Sequence, residues 1–275
     1  MSWVYFDGAA VRESDARIAA TDRGLLFARG VFETFRAERD RPVFRLGRHI
    51  ARMKAGAAAL GITSAPERAD VERAVEALLD RCGLQEARVR ATLTAGPEDG
   101  APSLLVQARP LTDYPEALYE TGAAAVVAKL RRNETSPLCR VKSLNYLDNL
   151  LAREEARRAG AVEALLLNTQ GRLAEGSASN VFLVRDGVLV TPPLDDGALP
   201  GVTREAVLDL ARAEGIPAEE APVEPDALTR ATEAFITNAV AGVLPVTSVD
   251  GAAVGGGTPG EVTRRLRAAL RRAAE

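Results

Sequence analysis

The chain has 275 residues, a net charge of −3 and a pI of about 5.5, with 47% hydrophobic and 27% charged residues. These are values of a soluble globular protein of about two domains or one large one, and they exclude a broad electrostatic footprint for nucleic acid. Only Lys54, Lys129 and Lys142 of the 35 basic side chains are lysines, and one histidine (His49) and two cysteines (Cys82, Cys139) leave no set of ligands for a His/Cys zinc site and no disulfide framework. MSWVYFDG lacks a basic n-region and a long apolar h-region, and no run of 18 apolar residues occurs, so neither a signal peptide nor a membrane span is expected.

In chain order, Asp7-Gly8 between 3–6 and 9–12 predicts a hairpin. The β-prone stretch 31–37, a charged turn at 38–41 and Pro42-Val43-Phe44 predict a second one. Leu46, Ile50, Met53, Ala57 and Leu60 recur at helical spacing and stop at Gly61; a second helix is expected over 66–82, ending at Gly83. Strands follow at 87–94 and 103–108. The prolines and glycine of 109–122 read as a linker. Beyond it, a strand at 123–130 leads through an irregular stretch to a helix with one face defined by Leu144, Leu147, Leu150 and Leu151, and its charged turns from Arg153 to Arg158 are expected in water. Strands at 163–168, 172–175, 180–184 and 188–191, a helix over 202–214, strands at 234–238 and 243–248 and a terminal helix over 258–274, with Pro259 in its first turn, complete the chain. The pattern is α+β: a small α/β layer first, then an antiparallel barrel-like sheet with helices outside.

Four places carry chemistry. Lys142, in VKSLNYLDN, is an amine at the mouth of a helix, suited to a Schiff base; a surface charge is its ordinary reading. Glu175 ends a strand before the small-residue loop Gly176-Ser177-Ala178-Ser179, where a flat group can approach the backbone and the carboxylate can hold a protonated ring nitrogen; a capped turn carboxylate is the alternative. Pro200-Gly201 opens a helix whose first amides, with the Thr203 hydroxyl, form an anion site or simply an ordinary helix start. Arg52 is a second phosphate ligand or a solvated helix arginine, and His49, one turn before it, reads as structural. Together they are a set for pyridoxal phosphate: an amine, a carboxylate for the pyridinium, and amides and arginine for the phosphate. No metal site is expected.

The order and spacing resemble the fold-type IV, class IV aminotransferase family of pyridoxal 5′-phosphate enzymes, which includes branched-chain aminotransferases, D-amino acid aminotransferases and aminodeoxychorismate lyases. The resemblance runs through TDRGLLFARGVFETF, RHIARM, VKSLNYLDNLLAREEA, LAEGSASNVFLV, LPGVTREAVLDLA and FITNAVAGVLPVTSVDG, nearly the whole chain. It implies a two-domain homodimer, with a small α/β N-terminal domain (1–115), a larger C-terminal domain (116–275) and the cofactor at the junction. It implies Lys142 as the Schiff-base lysine, Glu175 on the pyridine nitrogen, Arg52, Val202 and Thr203 on the phosphate, and Asn238 and Ala239 in a second phosphate-side loop. Tyr146 falls near the cofactor hydroxyl, and Ala178, Ser179 and Leu199 line the cofactor. A cytoplasmic enzyme acting on a small amine or amino acid, with no nucleic acid and no membrane, is expected.

Within the family, Thr34 in FETF and the loop TNAVAGVLPV look most like the lyases, where a threonine assists the lysine. The leading expectation is therefore 4-amino-4-deoxychorismate lyase, with Lys142 and Thr34 catalytic and 4-aminobenzoate and pyruvate as products; the alternative is amino transfer from a branched-chain or D-amino acid to 2-oxoglutarate. Two departures bear on the substrate. AGPEDGAP carries Glu98 and Asp99 where many relatives have an arginine for a substrate carboxylate, with Arg88 and Arg90 nearby as substitutes, and FARG replaces a small acidic segment.

Overall fold

Residues 2–111 and 114–275 are described by the structure, a computed structural model. They divide into two units, 1–112 with 141–145, and 113–140 with 146–275.

The first unit opens with β1 (Trp3–Phe6) and β2 (Ala9–Arg12). Asp7 and Gly8 turn between them with φ of 44° and 97°, the pair of positive values that a two-residue hairpin turn of this twist needs. A short helix α1 (Arg23–Phe27) follows, capped by the Asp22 carboxylate, which accepts from Gly24 N at 2.6 Å. Then come β3 (Gly30–Glu38), α2 (Leu46–Ala59), α3 (Arg68–Cys82), β4 (Glu86–Thr94) and β5 (Leu104–Arg109). The strands form one antiparallel sheet in the order β2-β1-β5-β4-β3. Here the expected second hairpin is corrected: β3 pairs with β4, and Pro42-Val43-Phe44 is not a strand. Pro42 has no N–H to give a ladder, and Arg45 turns the chain into α2 through a left-handed φ of 49°.

Strand alternation gives this sheet two different faces. Val31, Glu33, Phe35 and Ala37 of β3 are buried on the side of α2. Phe32, Thr34 and Arg36 point the other way, beside their cross-strand partners Thr92, Arg90 and Arg88.

The second unit contains α4 (Ala117–Thr121), β6 (Ala123–Arg132), α5 (Leu147–Arg158), β7 (Glu163–Asn168), β8 (Leu173–Gly176), β9 (Asn180–Arg185), β10 (Val188–Thr191), α6 (Val202–Ala213), β11 (Ala218–Glu220), α7 (Ala227–Arg230), β12 (Glu233–Asn238), β13 (Gly242–Val249), β14 (Ala252–Ala253) and α8 (Glu261–Ala274). Its sheet runs β11-β10-β9-β12-β13-β6-β7-β8, with β14 on β13. The expectation of an antiparallel sheet needs correction, because β10·β11, β13·β6 and β6·β7 are parallel. Parallel neighbours need a crossover, and α5 supplies one between β6 and β7, burying Ala152 and Ala156 against Ala128, Ala164 and Leu166. The sheet is a curled half-barrel: β8 lies at the end of the path, yet only residues 177–179 join it to β9, so the sheet must bend back on itself. Leu165, Leu173, Val181, Ile236 and Leu244 form the centre of its apolar core.

Three further expectations change. The α5 leucines do not face the core: Leu147, Leu150 and Leu151 are 66%, 53% and 53% exposed, and the buried face is Asn149, Ala152 and Ala156, which reaches into the turns expected in water. Pro259 precedes α8 rather than lying in its first turn; the α8 N-terminus is closed by Glu233, which accepts from Val262 N at 3.0 Å and from Thr263 N at 2.8 Å. The stretch read as a linker contains α4, and its residues 112 and 113 lie outside the described residues.

Candidate active site

In the first unit, the segment 141–145 lies along the outer edge of β3. Phe32 N donates to Lys142 O and Leu144 N to Gly30 O, each at 2.9 Å, and Ser143 bridges Val31. This pairing needs glycine at two close approaches. A Cβ on Gly30 would meet Leu144 Cδ1 and Leu93 O at 2.6 Å; one on Gly56 of α2 would press on Val31 and Val141 at 3.2 Å. The result is a half-buried Lys142 whose Nζ lies 4.5 Å from the centre of the Phe32 ring. The Arg90 guanidinium lies 3.7 Å from the same ring, and Thr34 is opposite Arg90 in register. Lys142, Thr34 and Arg90 therefore belong to one polar face of the sheet. Lys54, by contrast, is tied to Glu67 at 2.5 Å, and Lys129 is exposed on β6.

Arg52 works from α2. Its Nε and one terminal nitrogen hold the two oxygens of Glu33 at 2.8 and 2.7 Å. His49 Nδ1 meets Glu33 Oε2 at 2.7 Å. Burial raises the Glu33 pKa, but the Arg52 charge and the hydrogen bonds from Arg52 and His49 outweigh it and hold the carboxyl at about 2. Arg52 is thus not a solvated helix arginine: its side chain is 13% exposed.

In the second unit, Glu175 on β8 is buried. Oε2 accepts from Leu199 N at 2.8 Å, and Oε1 is 3.1 Å from Arg132. Arg132 also donates to the carbonyls of Gly197 and Cys139. Leu199 is fixed from both sides, since its carbonyl accepts from Asn180 Nδ2 at 2.9 Å. Two residues later the chain enters α6 with Gly201 as an N-cap that offers no side chain, so the first amides of Val202 and Thr203 carry the positive end of the helix. Gly201 has no room for a side chain: a Cβ would lie 1.9 Å from Asn180 Oδ1. Glu175 and the N-terminus of α6 are therefore mechanically linked through Leu199.

The Ser177-Ala178-Ser179 loop is built on a carboxylate. Glu163, buried at the start of β7, accepts from Ser177 N at 3.1 Å, from Ser179 Oγ at 2.7 Å, from Ala178 N at 3.4 Å and from the Ser177 hydroxyl. Ser177 O then accepts from Tyr146 Oη and Asn149 Nδ2, both at 2.9 Å. Burial, and then the charges of Glu175 and Glu163, push the Tyr146 hydroxyl pKa up, which keeps it a neutral donor. Asn238 shapes its own turn: Oδ1 accepts from Val240 N at 2.9 Å and Ala241 N at 2.7 Å, and Nδ2 meets Tyr114 Oη at 3.2 Å. Ala239 adds no polar side chain to that turn.

The sequence pattern singles out neither Glu33 nor Glu163. Each is detectable in principle as a carboxylate at an inward position of an otherwise apolar strand, VFETFRA and EALLLN. FARG also finds its reason: Arg29 donates to Leu60 O at 2.8 Å and Gly61 O at 3.3 Å, capping the C-terminus of α2.

The residues present fit pyridoxal 5′-phosphate. The set holds an amine, a buried carboxylate, an uncapped helix N-terminus with a hydroxyl, and a positioned arginine. Beside the Asn238 turn, the buried Thr237 Oγ1 has no hydrogen-bond partner among the described residues, a donor left for something else.

Comparison with known proteins agrees with this chemistry. The profile of the amino-transferase class IV family matches residues 30–249. A putative branched-chain-amino-acid aminotransferase of Methanocaldococcus jannaschii is 37% identical over 96% of this chain and 93% of its own. A D-alanine aminotransferase of Bacillus licheniformis is 34% identical, covering 97% and 95%, and an aminodeoxychorismate lyase of Bacillus subtilis 32%, covering 96% and 92%. Among solved structures, the branched-chain amino acid aminotransferase of Escherichia coli superposes with a TM-score of 0.90 at 31% identity, over 97% of this chain and 92% of that one. The chain belongs to the class IV aminotransferase family, the pyridoxal 5′-phosphate enzymes that act as transaminases or lyases.

Proposed function

We propose that the protein is an aminotransferase that moves the amino group of a branched-chain or D-amino acid to 2-oxoglutarate. The observation that carries this reading is Arg90. Its guanidinium and the Lys142 amine each lie against the Phe32 ring, which puts a fork for a substrate carboxylate on the same ring as that amine. It answers the absence of an arginine at Glu98 and Asp99. The greater identity to the branched-chain and D-alanine aminotransferases than to the lyase supports the same choice.

In this reading Lys142 Nζ would hold the cofactor, and the same amine would take the proton from the substrate Cα and return it as general base and acid. Glu175 keeps the ring nitrogen protonated, and Arg132 and Leu199 N hold that carboxylate in place. Val202, Thr203 and Arg52 take the phosphate; Ala178, Ser179, Asn238 and Ala239 shape the surrounding loops; Tyr146 serves the cofactor hydroxyl. Pyridoxal 5′-phosphate, when bound, supplies the electron sink that makes Cα acidic.

The second reading, aminodeoxychorismate lyase, rests on Thr34, which stands on the same sheet face as Phe32 and opposite Arg90. There Lys142 would remove the ring proton next to the amine, with Thr34 assisting. A half-reaction screen separates the two. Mixing the cofactor-loaded protein with L-leucine, L-valine or D-alanine is expected to give the pyridoxamine form and the matching keto acid, with 2-oxoglutarate restoring the start. Inertness to all amino donors, together with 4-aminobenzoate formation from 4-amino-4-deoxychorismate, would overturn the transaminase reading.

We further propose a cytoplasmic homodimer that binds neither nucleic acid nor membrane. Among the described residues no helix is long and apolar enough to cross a bilayer. The exposed Leu25, Leu26 and Phe27 of α1 and the leucine stripe of α5 are apolar surface that a second copy would cover. Light scattering on the purified protein is expected to give twice the 29.1 kDa chain mass; a monomer at micromolar concentration would contradict it.

A further inference from the structure

Glu33 is an anomaly of its strand. Its inward neighbours Val31, Phe35 and Ala37 are apolar, and it is itself 0% exposed. A buried carboxylate is costly unless it is paired with a charge and hydrogen-bonded, and here the partners come from one helix. Arg52 grips both oxygens edge-on through Nε and Nη2, and His49, one turn earlier on α2, engages Oε2. An ionised carboxylate only accepts, so His49 Nδ1 carries the proton of that bond. The fork fixes the plane of the guanidinium and turns its third nitrogen, Nη1, away from the carboxylate. A long arginine side chain otherwise spreads over many rotamers, and ordering it on binding is costly.

We propose that Glu33 is the positioning residue for Arg52, with His49 bracing the carboxylate, so that the arginine meets the cofactor phosphate already oriented. The inference rests on the assignment of Arg52 to the phosphate made above. It gives the one histidine of the chain a role in cofactor affinity and none in proton transfer to substrate.

The test compares two ligands that differ by the phosphate alone, pyridoxal 5′-phosphate and pyridoxal, titrated into the protein and its variants. In the wild type the phosphate form binds more tightly, and Arg52→Ala is expected to collapse that preference. Glu33→Gln keeps the shape and removes the charge; it is expected to weaken pyridoxal 5′-phosphate about tenfold or more while changing pyridoxal less than about threefold. His49→Leu is expected to move the ratio in the same direction, and His49→Asn, which restores an N–H donor, to recover it. Should Glu33→Gln fail to fold, the His49 pair carries the comparison. Equal losses for both ligands, or an unchanged ratio in Glu33→Gln and His49→Leu, would overturn the proposal and leave the cluster purely structural. An unchanged ratio in Arg52→Ala overturns it at its base, by removing Arg52 from the phosphate. A wild type that binds neither ligand would instead overturn the functional reading beneath it.

Discussion

Glu33 in the first unit and Glu175 in the second are both buried carboxylates on strands, and both sit beside an arginine, yet they are built differently. Glu33 is gripped through both oxygens by one guanidinium and touched by an imidazole, and its carboxyl is held at about 2. Glu175 has an arginine at 3.1 Å on one oxygen and a main-chain amide at 2.8 Å on the other, with the small residues of the 176–179 loop beyond it. The first arrangement is a closed ion cluster between helix and sheet. The second is a carboxylate aimed by its neighbours, next to a loop in which Gly176 has no space for a side chain because Ser179 Oγ would lie 2.1 Å from its Cβ. The contrast predicts that one carboxylate is needed for the fold and for orienting a ligand, and the other for chemistry.

Removing the first should show the largest effect on stability. Glu33→Ala leaves Arg52 and His49 facing an uncompensated cavity and is expected to cost about 3–5 kcal/mol, read by urea unfolding; a loss below about 1 kcal/mol would break the contrast. Glu175→Gln should do the opposite. Turnover is expected to fall by about 10²–10³, with the melting temperature little changed, because Gln still accepts from Leu199 N. A Glu175→Gln enzyme with near wild-type turnover would remove Glu175 from the chemistry.

Acid acts on the Glu33 cluster. The Glu33 carboxyl is depressed from 4.5 to about 2, so its contribution, about 3 kcal/mol, is fully present above pH 4.5. It drains away as the pH falls toward 2, because the unfolded chain binds the proton first. Stability measured between pH 5 and 2 should therefore fall less steeply in Glu33→Gln than in the wild type. Smaller effects are expected around Glu175. Gly201→Ala must displace Asn180 and its bond to Leu199, at about 1–3 kcal/mol. Tyr146→Phe removes one of two bonds to Ser177 O, at about 1 kcal/mol.

Much of this was legible in the residues. The hairpin at Asp7-Gly8, the helix stops at Gly61 and Gly83, and the strand–loop–strand around Glu175 follow from local turn chemistry and periodicity. What escaped depends on long-range partners. Pro42-Val43-Phe44 has β-prone residues, but β3 takes β4 as its neighbour. Leu147, Leu150 and Leu151 make a regular stripe, and periodicity alone does not say whether a stripe faces this chain or another. Glu33 and Glu163 pass for surface charges until α2 and the 177–179 loop are packed against them. Arg29 looked like a change in substrate chemistry and is a helix cap.

The scarcity of lysine in the chain opens the assignment of Lys142 as the cofactor amine to a direct test. Borohydride reduction of the cofactor-loaded protein, followed by peptide mass analysis, can mark only Lys54, Lys129, Lys142 or the N-terminus. A single reduced cofactor adduct is expected on the Lys142 peptide, and none in Lys142→Ala. An adduct on Lys54 or Lys129, or none at all from a protein saturated with cofactor, would contradict it.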